Sequence, residues 1–431
     1  MRTFLKKIIT IKLTWIARAI LWRHQPKVIA VTGSVGKTST KDAIYTVLKS
    51  SGSIRRSEKS FNSELGVPLS IIGANSGWNN PLSWIGIIGS GIAQIFERKG
   101  SYPKTLVLEV GADRPGDISR IAKWLKPHVV VITRLPEVPV HIEFFPTLNS
   151  LIEEKLSLAG GLRKEGTLVL NADDPHVLAA KERFRARTVT YGMSEGSDIR
   201  ASNIQLVAPT ETVPGGLTFK IDFDGKSLPV MLPNIYSDSF VVVALAALGT
   251  AYVSGINMVS AIEDLASYVT PPGRVHLIEG MKDSVLIDDT YNSSPAACEA
   301  GLRMLKYIPF GKRKIAIIGD MLELGKHTNE AHLEVGKLAA LCADILLTVG
   351  PRAKECAKGA REEGMSEKKI FEFDDAKAAW EHMKGMVKAE DIIYIKGSQS
   401  TRMERTVEML MAEPGRAKEL LVRQEVEWGD K

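Results

Sequence analysis

The chain has 431 residues, enough for two or three domains that each bury a core. With 44% hydrophobic and 25% charged residues it has the balance of a soluble globular protein, which argues against a disordered or fibrous chain. The net charge of +6 suits an anionic substrate or a membrane surface, and no nucleic-acid-binding motif accompanies it, so nucleic acid is not an expected partner. Cys298, Cys342 and Cys356 form no CxxC pair, which argues against a zinc ribbon or a disulfide framework and points to a reducing, cytosolic compartment.

Residues 1–25 form the first element. In FLKKIITIKLTWIARAILW, Lys6, Lys7, Lys12 and Arg18 interrupt the apolar run, so it is a poor membrane span. No small-residue cleavage site follows, so a secretory signal is not expected. Wound as a helix, it puts Phe4, Ile8, Ile11, Trp15 and Trp22 on one face, with Leu5, Ile9, Ile16 and Ile20 beside them. Lys7, Thr14 and Arg18 fall on the other. Such a basic amphipathic helix either docks on its own domain or a partner, or makes a peripheral contact with an anionic inner membrane face. PLSWIGIIGSGIAQIF (81–96) is too short and glycine-broken to span; it reads as a buried helix, with addition to the same surface as the second reading.

From residue 27, apolar runs alternate with helical stretches. KVIAVTG, TLVLEVG, HVVVITR and GTLVLNADD are continuous apolar runs ending in polar or glycine residues, the pattern of parallel strands buried on both faces. Residues 195–232 read as a small antiparallel edge sheet, followed by two helices. After TPPGR (270–274) the alternation restarts with SVLIDDTY, KIAIIGDM, DILLTVG, KIFEFDD and DIIYIKGS. The expected fold is α/β. It has the amphipathic helix 1–25, a doubly wound, mostly parallel central domain over 26–270, and a Rossmann-like α/β domain over 271–431.

VTGSVGKTST (31–40) carries the chemistry. Gly33 and Gly36 permit a tight turn whose N–H groups face phosphate oxygens, together with Thr32, Ser34 and Ser39. Lys37 adds a positive charge, and the Thr38 hydroxyl can ligate Mg²⁺. The spacing departs from the general GxxxxGK[ST], because Val31 stands where the first glycine would be.

This variant resembles the ATP loop of the Mur ligase family, the ATP-dependent amide-forming ligases of peptidoglycan precursor synthesis. Further matches follow in order: FNSELGVPLS (61–70), LEVGADRPGDI (108–118), HIEFF (141–145), EEK (153–155), LNADDP (170–175), GR (273–274), DDTYNSSP (288–295), IIGDMLELG (317–325) and KGSQSTRME (396–404). The DTYN-xxP and GDMLELG blocks are those of the branch that joins D-alanyl-D-alanine (D-Ala-D-Ala) to a UDP-MurNAc-tripeptide.

The resemblance implies ATP and two Mg²⁺ ions, and an acyl-phosphate mechanism with a UDP-MurNAc-peptide-like acceptor and D-Ala-D-Ala as substrates. Thr38, Glu109, His141 and Lys155 match the metal-holding and catalytic positions around Lys37, with Lys155 matching a carbamylated lysine. Arg274, Asp288 and Asn292 match positions that close onto the nucleotide, and Asn62, Lys396 and Ser398 match positions toward the substrates. Three departures stand out: Ser157 occurs where the family has a second acid after the lysine, LPNIYSDSF (232–240) lacks its adenine-contacting His-Asn…Asn, and what precedes the loop is too short for a uridine-binding domain. Other readings are a ligase for another carboxylate, of the folylpolyglutamate or cyanophycin type, or a non-catalytic ATP-binding relative.

Overall fold

The computed structural model describes residues 2–58, 60–77, 80–135, 142–425 and 428. The first nine strands are β1 (Lys27–Thr32), β2 (Ile54–Arg56), β3 (Thr105–Glu109), β4 (Val129–Ile132), β5 (Thr167–Asn171), β6 (Arg187–Gly192), β7 (Ile199–Val207), β8 (Gly216–Phe223) and β9 (Lys226–Pro233). They form one sheet in the order β2-β3-β1-β4-β5-β6-β7-β8-β9. It is parallel from β2 to β7 and antiparallel from β7 to β9, as the apolar runs and the edge segment predict. β1 lies between β3 and β4, where the strand order doubles back, so the turn after it opens into the crevice that such sheets offer to ligands.

Alternation across the pleat divides the core. Ile29, Val31, Val107, Val131 and Val169 pack with helices Lys37–Leu48 and Ser239–Val253. Val28, Ala30, Leu106, Leu108, Val130 and Ile132 pack on the opposite face with helices Arg2–His24, Gly66–Ile72 and Asp117–Leu125.

The second sheet contains β10 (His276–Gly280), β11 (Ser284–Asp289), β12 (Arg313–Gly319), β13 (Ile345–Val349), β14 (Ile370–Phe373) and β15 (Asp391–Lys396), ordered β10-β11-β15-β12-β13-β14. Only β10 runs antiparallel. Helices cover both faces, enclosing two apolar clusters. All three cysteines are free and buried.

Two sequence expectations need correction. In helix Arg2–His24 the buried residues are Leu13, Ile16, Ala17 and Ile20, packed on helices Gly66–Ile72 and Pro81–Phe96. Ile11, Trp15 and Trp22 face solvent, and Lys7 and Arg18 lie beside them rather than on the opposite face, because the docked stripe is centred half a turn away from all five. Helix Pro81–Phe96, expected to be buried, is buried only at Gly91. A Cβ there would stand 2.7 Å from Ile16 Cγ2, so this glycine lets the two helices touch while most of the helix remains outside.

Candidate active site

The loop after β1 is built around two glycines. Gly33 has φ 139° and a Cβ on it would fall 2.0 Å from Thr133 Oγ1; Gly36, at φ 83°, precedes helix Lys37–Leu48. No side chain caps that helix, which leaves its first N–H groups free to face an anion. The loop is anchored from behind, with Ser34 N donating to Arg134 O at 2.8 Å and Thr133 Oγ1 donating to Val35 O at 2.7 Å. The Ser34 hydroxyl and Arg274 Nε are buried without a hydrogen-bond partner among the described residues, and both line the same cleft. Phosphate oxygens are the groups that would satisfy them.

Behind the loop lies an oxygen cluster. Thr38 Oγ1 donates to Glu109 Oε2 at 2.9 Å and lies 3.2 Å from Ser60 Oγ. Asn62 Nδ2 donates to Glu109 Oε1 at 2.8 Å. Gly111 permits this approach, since a Cβ there would meet the Asn62 amide at 2.9 Å. The hydroxyl and carboxylate oxygens of Thr38 and Glu109 are hard donors of the kind Mg²⁺ takes, so the residues fit that ion.

Two lysines complete this side. Lys37 is held down by burial, partly offset by Glu109 and further lowered by Arg274 from across the cleft. Lys155, buried with Nζ donating to Ala112 O at 3.2 Å, is lowered to about 7 by burial and then by the charge of Lys37. A buried amine that readily loses its proton is the form that accepts CO₂, so Lys155 fits a carbamate. Its neighbour Glu154 accepts from the N–H groups of Gly116, Ile118 and Ser119 at the start of helix Asp117–Leu125, which fixes the lysine's backbone against that helix. His141 lies outside the described residues.

The opposite wall comes from the second sheet. Arg274 stacks on the Tyr291 ring at 4.2 Å. Lys396, at the end of β15, donates to Asp289 Oδ2 at 2.6 Å and to Asn292 O at 3.0 Å. A cleft of about 780 Å³ brings together Ser34, Gly36, Lys37, Ser39, Asn62, Glu109, Lys155, Arg274, Asn292 and Lys396.

Thr32 and Gly33 form the turn itself, Thr38 lies behind it against Glu109, and Asp288 and Ser398 each tie a loop beside the cleft. Asp288 accepts from Gly273 N at 2.9 Å and from Thr290 Oγ1 at 2.6 Å, which ties the GR turn to the DTYN loop. Ser398 Oγ accepts from Leu322 N at 2.9 Å, tethering the GDMLELG loop. Adjacent strand residues point to opposite faces, so Asp289, which the sequence reading passed over, is the one that reaches the cleft.

Also missed was Arg423. It donates to Thr290 O at 3.1 Å and to Tyr291 O, pairs with Glu404 at 3.0 Å, and stacks 5.7 Å from the Tyr291 ring. A lone arginine in LVRQE carries no signal for this long-range contact.

A phosphate loop on one α/β unit, faced across a cleft by cations from another, is the arrangement of a phosphoryl-transfer enzyme, and the family matches make it an ATP-dependent ligase. Family profiles agree: the Mur ligase middle domain matches residues 89–248, and the Mur ligase, glutamate ligase domain matches residues 273–399. The chain belongs to the Mur ligase family, whose members are ATP-dependent.

Similar proteins include the UDP-N-acetylmuramoyl-tripeptide--D-alanyl-D-alanine ligase of Bacillus subtilis (strain 168), 26% identical over 93% of this chain and 79% of that protein. The enzyme of that name from Synechocystis sp. is 29% identical over 91% of this chain and 76% of that protein. The crystal structure of MurF ligase from Thermotoga maritima in complex with ADP superposes with a TM-score of 0.75 at 27% identity, over 94% of this chain and 84% of that one.

Proposed function

We propose that the enzyme joins D-alanyl-D-alanine to the peptide carboxylate of a UDP-MurNAc-tripeptide-like acceptor, as the named relatives do. What carries this reading is the convergence of Lys37, Glu109, Lys155 and Arg274 on one cleft.

An acceptor carboxylate oxygen attacks the γ-phosphorus of ATP, ADP leaves, and an acyl phosphate remains. The dipeptide amine then attacks the acyl carbon, loses a proton and displaces inorganic phosphate. The loop N–H groups and Lys37 bind the phosphates, and Arg274 approaches from the opposite wall. Thr38 and Glu109 would hold one Mg²⁺, and Glu109, His141 and carbamylated Lys155 a second. Bound there, the ions offset the repulsion between phosphate and carboxylate. Asn62 keeps Glu109 oriented. In this reading residues 26–270 carry the phosphate loop, Arg274 and Asn292 from residues 271–431 close onto the nucleotide, and the incoming amine lies near Lys396.

The test is ADP release with acceptors offered one at a time. Turnover that requires both UDP-MurNAc-tripeptide and D-Ala-D-Ala supports the reading. Turnover with a folate or an aspartate-arginine polymer in their place favours the other carboxylates, and no turnover with any acceptor favours a non-catalytic relative.

A further inference from the structure

The net charge of the chain is +6, and residues 1–24 hold six of its Lys and Arg residues and no Asp or Glu. The rest of the molecule is therefore balanced, and all of the excess charge lies on one helix. That helix presents solvent with an apolar stripe as well: Trp15 is 72% exposed, Trp22 78% and Ile11 55%. Arg18 and Lys7 flank the stripe on one side and Lys12 on the other, all exposed.

Helix Pro81–Phe96, packed beside it through Gly91, has no charged residue. Leu82 (76% exposed), Ile85 and Phe96 (81%) lie bare on it. Glu97, Arg98 and Lys99 follow it, all exposed, with a net charge of +1. Bare apolar side chains on two adjoining helices form a surface that water alone does not favour.

We infer that helices Arg2–His24 and Pro81–Phe96 together form a docking surface for an anionic phospholipid bilayer. Tryptophans among bordering lysines and arginines match the layer between headgroups and acyl chains, and the concentrated positive charge matches anionic headgroups. A protein partner would need neither the tryptophan belt nor a charge excess confined to this element. The contact is peripheral, because no helix among the described residues is long and apolar enough to cross a membrane. None of these side chains lines the ATP cleft, so lipid binding is separable from the ligase chemistry.

The full chain is sedimented with phosphatidylglycerol-containing vesicles and with phosphatidylcholine-only vesicles, at low and high salt. Binding to the anionic vesicles is expected, weakened by salt and absent from the neutral ones. Trp15→Ser/Trp22→Ser/Leu82→Ser/Phe96→Ser and, separately, Lys7→Gln/Lys12→Gln/Arg18→Gln should each lower partitioning at least about tenfold. ADP binding serves as the control for folding and should be unchanged. No binding to anionic vesicles, or undiminished binding by folded variants, overturns the proposal. Lipid-free dimerisation that the serine variant abolishes, without vesicle binding, also overturns it, and assigns the surface to a second copy.

Discussion

Thr38 Oγ1 and Glu109 Oε2 meet at 2.9 Å across the end of two parallel strands, although 71 residues separate them in sequence. Val31 pairs with Glu109 in register, so the phosphate loop and this carboxylate are set by the same ladder. Glu109→Gln keeps the shape but removes the charge and one of the two acceptor oxygens that Thr38 and Asn62 use. Mg²⁺-dependent turnover should fall by about 10²–10³ while ADP binding without Mg²⁺ persists. Turnover close to wild type would remove Glu109 from the metal site.

Lys155 is an amine near neutrality within a buried pocket. If it is used as a carbamate, Lys155→Ala loses at least about a hundredfold in turnover, and formate or acetate in the assay restores part of it. Wild-type enzyme in CO₂-free buffer should also slow, and recover on adding bicarbonate. A variant that turns over normally, or a wild type indifferent to bicarbonate, contradicts the carbamate.

The buried pair Lys396–Asp289, 2.6 Å apart, lends itself to a separation of stability from function. Asp289→Asn leaves a buried cation without its counter-charge and should cost about 3–5 kcal/mol, read as a lower denaturation midpoint. Adding Lys396→Met should recover most of that stability without restoring turnover. Recovery of both would make the pair purely structural.

Asp288 gives a pH signature. Burial raises its carboxyl to about 6 in the folded chain, above the ordinary 3.8. Between those values the folded state holds more protons than the unfolded one, so stability contributed by this group declines as pH rises from about 4 to about 6. Asp288→Asn cannot titrate. Measured by urea denaturation, wild type should lose on the order of 2–3 kcal/mol relative to the variant across that window. A gap that stays constant with pH contradicts the buried, raised carboxyl.

Much of this was legible in the sequence, for reasons that differ by element. Continuous apolar runs located β1, β3, β4 and β5 and the central strands β12, β13 and β15, because strands covered on both faces need apolar residues at nearly every position. The glycines of the phosphate loop were legible because the turn leaves no room for another residue at position 33. Less was visible where the outcome depends on distant partners. Three-residue β2 has no pattern of its own. Helix Pro81–Phe96 is apolar all round, which ordinarily signals burial, yet it is fully buried only at Gly91 and packs half-buried through Trp84, Ile87, Ile88 and Ile95. Which of Asp288 and Asp289 reaches the cleft depends on strand register, and the Arg423–Tyr291 contact closes across 132 residues.

The most direct measurement is oxygen tracing. The acceptor is prepared with ¹⁸O in its reactive carboxylate and turned over with ATP and D-alanyl-D-alanine. Passage of one labelled oxygen into inorganic phosphate for each amide formed is the expected result, because the acyl phosphate leaves that oxygen on phosphorus. Amide formation with unlabelled phosphate would contradict the acyl-phosphate mechanism at its root.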